Sequence, residues 1–185
     1  MTIMWNRLKY VLSPQFDIYE EVAKVVRGVV ADVGSGTGFG THLLTVNAKQ
    51  VQAFEIDPEA INFAEKVFPL KTLSFHFGDI VKGIDTGEGF DFVVMVDVIE
   101  HIKYDKKCLQ NAKVMLKKHG QLILSTPNRL SRYRKSDNHI REYAPRELEG
   151  LLKQVFVSVS LRNHKLEPLA SQHQNPILAV CRNET

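Results

Sequence analysis

The stretch VVADVGSGTGFG at residues 29–40 constrains this chain more than any other. Val29 to Val33 is β-branched and apolar around Asp32 and predicts a short buried strand. Gly34, Gly36, Gly38 and Gly40 follow at every second position. Such a run lets the backbone turn tightly and approach a ligand that any Cβ would hold off. Thr41 to Ala48 then resumes as a helix. A strand, a glycine turn and a helix at the head of an alternating chain make a nucleotide-type site.

The alternation continues. Ile18 to Arg27 carries apolar residues at helical spacing and ends at Gly28, as a C-terminal cap would. Val51 to Ile56 is a second strand, and Asp57-Pro58 opens a helix with Asp57 as its cap. Leu73 to Phe77 alternates as a third strand, and Phe90 to Val96 is nearly all apolar, as a central parallel strand should be. Tyr104 to Lys118 predicts an amphipathic helix stopped by Gly120, and Gln121 to Ser125 a fifth strand. A polar loop, 126–143, leads to a helix from Pro145 to about Gln154. Val155 to Leu161 and about Ile177 to Cys181 close the chain as strands. The expected fold is a doubly wound, Rossmann-like α/β sandwich with a mostly parallel seven-stranded sheet and an antiparallel C-terminal edge hairpin. All of residues 1–185 are expected to form one domain: a segment and helix (1–28), a cofactor-binding core (29–152) and the last strands (153–185).

A chain of 185 residues, 44% hydrophobic and 24% charged, has the composition of a single globular domain. No run approaches 18 apolar residues, and MTIMWNRLKYVLS lacks the apolar core of a signal peptide, so a cytoplasmic protein without a membrane span is expected. Cys108 and Cys181 fit no pairing motif. The formal charge of +3 is local: residues 129–146 hold six basic side chains against two acids.

The dinucleotide fingerprint G-x-G-x-x-G fails in both registers, because Phe39 and Thr41 stand where its last glycine belongs. No G-x-x-x-x-G-K-[ST] loop exists either. Asp32, two residues before the first glycine, would repel a pyrophosphate and welcome a cation. S-adenosyl-L-methionine (SAM), with its sulfonium and ammonium, has that sign. Glu55, ending the second strand, is placed to accept both ribose hydroxyls and excludes a 2′-phosphate. Asp79, ending the third, is placed for the adenine amino group. Asp79 also has a plainer role as a turn residue, and Asp57 as a helix cap.

VVADVGSGTGFGTHLL, FEIDPEAINFAEK, FHFGDI, DFVVMVDVIEHI and GQLILSTPN, in this order and spacing, resemble the class I SAM-dependent methyltransferases, especially the branch of the ubiquinone-biosynthesis O-methyltransferases. The likeness covers roughly Val29 to Leu152. It implies that Asp32, Gly34, Ser35, Gly36 and Gly38 hold the methionine part, Glu55 the ribose, and Asp79 and Ile80 the adenine, with Ile56 also binding the cofactor and Val96 lining the pocket through its backbone.

Methyl transfer from a sulfonium is an in-line displacement at carbon, so alignment supplies most of the rate and a base serves weakly acidic nucleophiles. The candidates are Glu100 and His101 beyond the fourth strand, with His139 and Glu142 in NHIREYAPREL. Asp97-x-x-Glu100-His101 with a later His139 also resembles the divalent-metal cluster of the small-RNA 3′-terminal 2′-O-methyltransferases, with Asp97 where that family has Glu. The resemblance implies Asp97, Glu100, His101 and His139 as metal ligands; the alternative is a helix-start pair at Glu100-His101. The basic loop 129–146, with Arg132, Tyr133, Arg134, Arg141 and Tyr143, suits nucleic acid, an anionic small molecule or solvent alone. Three functions follow: a methyltransferase acting on a small-molecule, oxygen nucleophile; a metal-assisted RNA 2′-O-methyltransferase; or a catalytically silent SAM-binding subunit. Residues 1–17 and the 126–143 loop are expected to shape the acceptor pocket.

Overall fold

A computed structural model describes residues 14–132 and 136–184. Its elements in chain order are α1 (Pro14–Val25), β1 (Val29–Val33), α2 (Phe39–Leu44), β2 (Gln50–Glu55), α3 (Pro58–Val67), β3 (Leu73–Phe77) and β4 (Phe90–Val96). A 3-10 turn (Ile99–His101), α4 (Asp105–Val114), β5 (Leu116–Thr126), α5 (Pro145–Leu152), β6 (Ser158–Arg162) and β7 (Ile177–Arg182) complete it. The seven strands form one sheet in the order β3-β2-β1-β4-β5-β7-β6. The first five run parallel, while β7 lies antiparallel to both β5 and β6. The expected doubly wound sheet and its antiparallel edge are both present.

Period-two alternation distributes the strand residues between two cores. Val30, Val94, Val96 and Ile123 face Ile18, Tyr19 and Val22 of α1 and Leu44 of α2. Ala31, Val33, Val93, Met95, Leu122 and Leu124 face Cys108, Leu109 and Ala112 of α4 and Leu148 and Leu152 of α5. Because both faces are covered, the central strands show the continuous apolar runs seen in the sequence. Both cysteines are buried free thiols, and burial pushes each up to about 12. Among the described residues no helix is long and apolar enough to cross a membrane.

The expected helix over 104–118 is shorter. It ends at Val114, and β5 begins at Leu116 with Gly120 inside it. Neighbouring backbone and side chains claim the groups that a longer helix would use. Phe90 N–H donates to Met115 O at 2.8 Å, His119 N–H to Asn183 O at 2.7 Å, and Asn183 Nδ2 to the Leu116 and Lys117 carbonyls. The helix after the glycine turn also stops early, at Leu44 rather than Ala48. Asp57 caps α3 as expected, its Oδ1 accepting from Glu59 N–H at 2.9 Å with Pro58 as first helical residue. The expected contribution of residues 1–17 to a pocket falls mostly on residues outside those described.

Candidate active site

Strand order reverses between β1 and β4, whose neighbours lie on opposite sides. Connections leave in opposite directions there and open a crevice at the carboxyl ends of the strands. A cleft of about 470 Å³ occupies that position, a size typical of small-molecule sites. Gly34, Glu55, Ile56, Asp79, Ile80, Asp97 and His101, all expected site residues, line it. Val98, Ile102, Lys103 and Ile140 add to the wall and were not expected, since nothing in their spacing distinguishes them from core or surface residues.

Two glycines of the turn are required by geometry. Gly34 has φ +76°, and a Cβ there would stand 2.5 Å from Val98 Cγ2. Gly38 has φ +81°, and its Cβ would stand 2.8 Å from Phe75 Cζ. A left-handed backbone and the lack of room both exclude a side chain. Gly36 N–H donates to Glu55 Oε2 at 2.8 Å, while Glu55 Oε1 accepts from Ile56 and Asp57 N–H at 2.7 and 3.1 Å. The end of β2 is thereby tied to the turn after β1. Asp79 Oδ1 accepts from Val81 N–H at 2.9 Å, which orients this carboxylate at the same rim.

Asp32 behaves differently from the two other acids. It shares a face with Val30, toward α1 and α2, and is fully buried outside the cleft wall. Tyr19 Oη donates to its carboxylate at 3.0 and 3.2 Å, and Thr41 Oγ1 at 2.6 Å. These contacts clamp α1 and α2 beneath the glycine turn. Burial pushes the Asp32 carboxyl up to about 7, against the lowering effect of Thr41 and Tyr19. Ser35, Gly36, Gly38 and Val96 likewise build the turn and strand end without entering the wall.

At the other end of the cleft, β4 leads into Asp97, which has φ +53°. A non-glycine residue in this region is strained, and the hydrogen bonds around it hold it there. Asp97 N–H donates to Ser125 O at 3.2 Å, and Ser125 Oγ donates to Asp97 Oδ1 at 2.7 Å. The 3-10 turn then buries Glu100 completely and leaves His101 exposed. Ile140 and Arg141 N–H both donate to Glu100 O, at 2.9 and 3.1 Å, pinning the 136–142 segment across the turn. That contact brings His139 against His101, with ring centroids 4.9 Å apart.

Glu100, His101 and His139 each offer a donor atom within 4.8 Å of the other two. Asp97, expected with them, is not in this group; its shorter side chain is turned to Ser125 instead. Glu100 Oε2 accepts from Thr126 Oγ1 at 3.0 Å, whereas Oε1 is buried without a hydrogen-bond partner. Burial, then the charge of Asp97, pushes the Glu100 carboxyl up to about 8. His139 Nδ1 lies 2.7 Å from Glu142 Oε1 and His101 Nδ1 lies 3.0 Å from Asn138 O. A carboxylate and a carbonyl accept, so each Nδ1 carries a proton, and a ring in its neutral form would present Nε2 as a base or ligand.

Two of the four described arginines of the basic loop stand in ion pairs. Arg129 pairs with Glu147 at 2.8 Å and Arg141 with Asp105 at 3.1 Å. Tyr143, a candidate for stacking on bases, is instead fully buried, its hydroxyl donating to Asp105 Oδ2 at 2.9 Å. Burial is its role, because it anchors the loop to α4. Tyr133, Arg134 and Lys135 lie outside the described residues.

The family model described as "Methyltransferase domain" matches residues 26–172. A "Probable S-adenosylmethionine-dependent methyltransferase" of Mycobacterium tuberculosis is 25% identical over 160 residues. The match takes in 80% of this chain and 57% of the relative, so the chain spans little more than half the length of the curated relatives it matches. Among solved structures, a TehB-like SAM-dependent methyltransferase from Corynebacterium glutamicum superimposes with TM-score 0.74 at 18% identity, covering 100% of this chain and 96% of that one. The N-methyltransferase NodS from Bradyrhizobium japonicum gives 0.67 at 18%, covering 91% and 93%. These structures share the fold. With its family model spanning the glycine turn, the cleft and the histidine cluster, this chain belongs to the methyltransferase domain family.

Proposed function

We propose that this domain transfers the methyl group of SAM to a hydroxyl oxygen of a small molecule. The observation that carries the reading is the cleft at the β1/β4 switch point, where Glu55 and Asp79 stand at successive strand ends beside the Gly34 turn. In this reading Glu55 holds the ribose hydroxyls, Asp79 and Ile80 receive the adenine, and the turn from Gly34 to Gly38 accommodates the methionine moiety. Relatives described as SAM-dependent, and a related structure described as a complex with S-adenosylhomocysteine, support the donor.

The acceptor oxygen then lies toward Glu100, His101 and His139. The O–C bond forms as the S–C bond breaks, the sulfonium becomes a neutral thioether, and the hydroxyl proton leaves on the side of the histidines. A small acceptor is favoured because the cleft is of small-molecule size.

Calorimetric titration with SAM tests the donor site. Saturable binding is expected, weakened roughly 10- to 100-fold in Glu55→Gln, since hydrogen bonds to a charged group contribute about 1.5–3 kcal/mol. Absence of binding by the wild-type protein at micromolar SAM would overturn the reading. Radiolabelled methyl transfer to hydroxylated small molecules, run beside RNA, tests the acceptor; transfer to RNA alone would overturn its small-molecule part.

A further inference from the structure

We infer that the acceptor is a small hydroxylated anion and that the Lys103 ammonium selects it by holding its carboxylate or phosphate group; this names the substrate class of the function proposed above and rests on it. The cleft has two unlike walls. On the side of β2 and β3 stand Glu55 and Asp79, the acids that face the cationic donor in that function. On the side of β4 stand Val98, His101, Ile102, Lys103 and Ile140. Among the described residues of the lining, Lys103 alone carries a fixed positive charge.

No described carboxylate neutralises that charge. Lys103 takes part in none of the ion pairs among the described residues, and its ammonium stands over the Tyr104 ring, 5.8 Å from the centroid. The nearest acids along the chain are engaged elsewhere. Asp97 Oδ1 accepts from Ser125 Oγ at 2.7 Å, and Asp105 Oδ2 accepts from Tyr143 Oη and Arg141 at 2.9 and 3.1 Å. An ammonium left open in a cleft wall favours an anionic ligand, and the contact strengthens as the ligand displaces water. The segment that carries Ile140 adds to the sign. Residues 129–146 hold six basic side chains against two acids, and pairing Arg129 and Arg141 with Glu147 and Asp105 still leaves basic groups in excess. A field of that sign draws anions toward this side of the mouth.

The spacing of the wall sets the shape of the acceptor. Ile102 is extended, with φ −108° and ψ 121°, so His101 and Lys103 lie on the same side of the chain. Their Cα atoms are then about 6–7 Å apart. An acceptor with its hydroxyl at His101 and its anionic group at Lys103 therefore needs a body several atoms long. Val98, Ile102 and Ile140 supply an apolar surface for that body, and Ile140 is still 59% exposed, so an aromatic ring or short alkyl chain would cover surface that water otherwise meets. The opposed walls also keep the two ligands apart. Lys103 repels the cationic donor, and Glu55 and Asp79 repel the anionic acceptor, so each is disfavoured in the other's half of the cleft.

Matched pairs of probes test the assignment by nuclear magnetic resonance titration of the free and the S-adenosylhomocysteine-loaded protein: para-hydroxybenzoate against para-hydroxybenzamide, and hydroxybutyl phosphate against butanediol. Each anion is expected to bind roughly three- to tenfold more tightly than its neutral partner at low salt. The preference should shrink as salt is raised. The tighter of the two anions names the group that Lys103 holds. Lys103→Met keeps the apolar stem without the charge and should abolish the preference; Lys103→Arg should restore it, and SAM affinity should be the same in all three proteins. Because Lys103 is exposed, its replacement leaves the core intact, and an unchanged melting curve verifies this. Equal binding of anions and neutral partners, no binding of either anion, or a preference that survives in Lys103→Met would overturn the inference. So would loss of SAM binding in Lys103→Met, which would put the ammonium at the donor end. Calorimetry with SAM on the wild type separates the two claims: SAM binding without selection of anions refutes only the inference, and selection of anions by the free protein without SAM binding refutes only the proposed donor.

Discussion

Replacing Asp32 by Asn should change how the stability of this protein depends on pH. The Asp32 carboxyl is fully buried, receives Tyr19 and Thr41 hydroxyls, and is pushed up from 3.8 to about 7 by burial. The folded state therefore holds this proton more tightly than the unfolded chain. Between pH 3.8 and about 7 the unfolded chain has lost the proton while the folded protein keeps it, so stability falls as pH rises through that window and levels off above it. Three units correspond to about 4 kcal/mol in all, of which about 2.5 kcal/mol falls between pH 5 and pH 8. Asparagine has the same shape and cannot ionise. Urea unfolding at pH 5 and pH 8 should then show the variant gaining about 2.5 kcal/mol on the wild type as the pH rises, or roughly 5–10 °C in melting temperature. The Glu100 carboxyl, also raised, is present in both proteins and cancels from the difference. Parallel pH profiles for the two proteins would refute the assignment of Asp32 as the buried proton holder beneath the turn.

Two further outcomes are expected. Gly38→Ala places a Cβ 2.8 Å from Phe75 Cζ at φ +81°, and should cost about 2–4 kcal/mol from left-handed strain and overpacking together, read from the urea midpoint. Tyr143→Phe removes the 2.9 Å bond to Asp105 from a fully buried ring, and should cost about 1.5–3 kcal/mol while leaving the overall helix and strand content unchanged by circular dichroism.

Order, spacing and residue type made the sheet and the cleft legible. Apolar β-branched runs separated by helical stretches predict parallel strands buried on both faces, and each of the seven strands lies within a few residues of its predicted position. The acids at the ends of β2 and β3 were readable because strand ends share one edge of such a sheet. The 116–120 segment was misplaced because its pattern suits a helix, while its partners, Phe90 and Asn183, are distant in sequence.

What the sequence determined by itself was local and periodic: the turn after β1, which only glycine can make at Gly34 and Gly38, the Asp57 cap, and the two-faced core. What the tertiary structure decided was direction. Asp32 and Glu55 look alike in the sequence, yet strand alternation turns one into the core and leaves the other at the cleft. Asp97, Glu100, His101 and His139 look like four equal candidates. Packing against Ser125 withdraws the first, and two backbone hydrogen bonds to the Glu100 carbonyl bring His139 across a gap of 38 residues to join the rest. A side chain's direction depends on contacts made by residues far along the chain, and no local pattern encodes them.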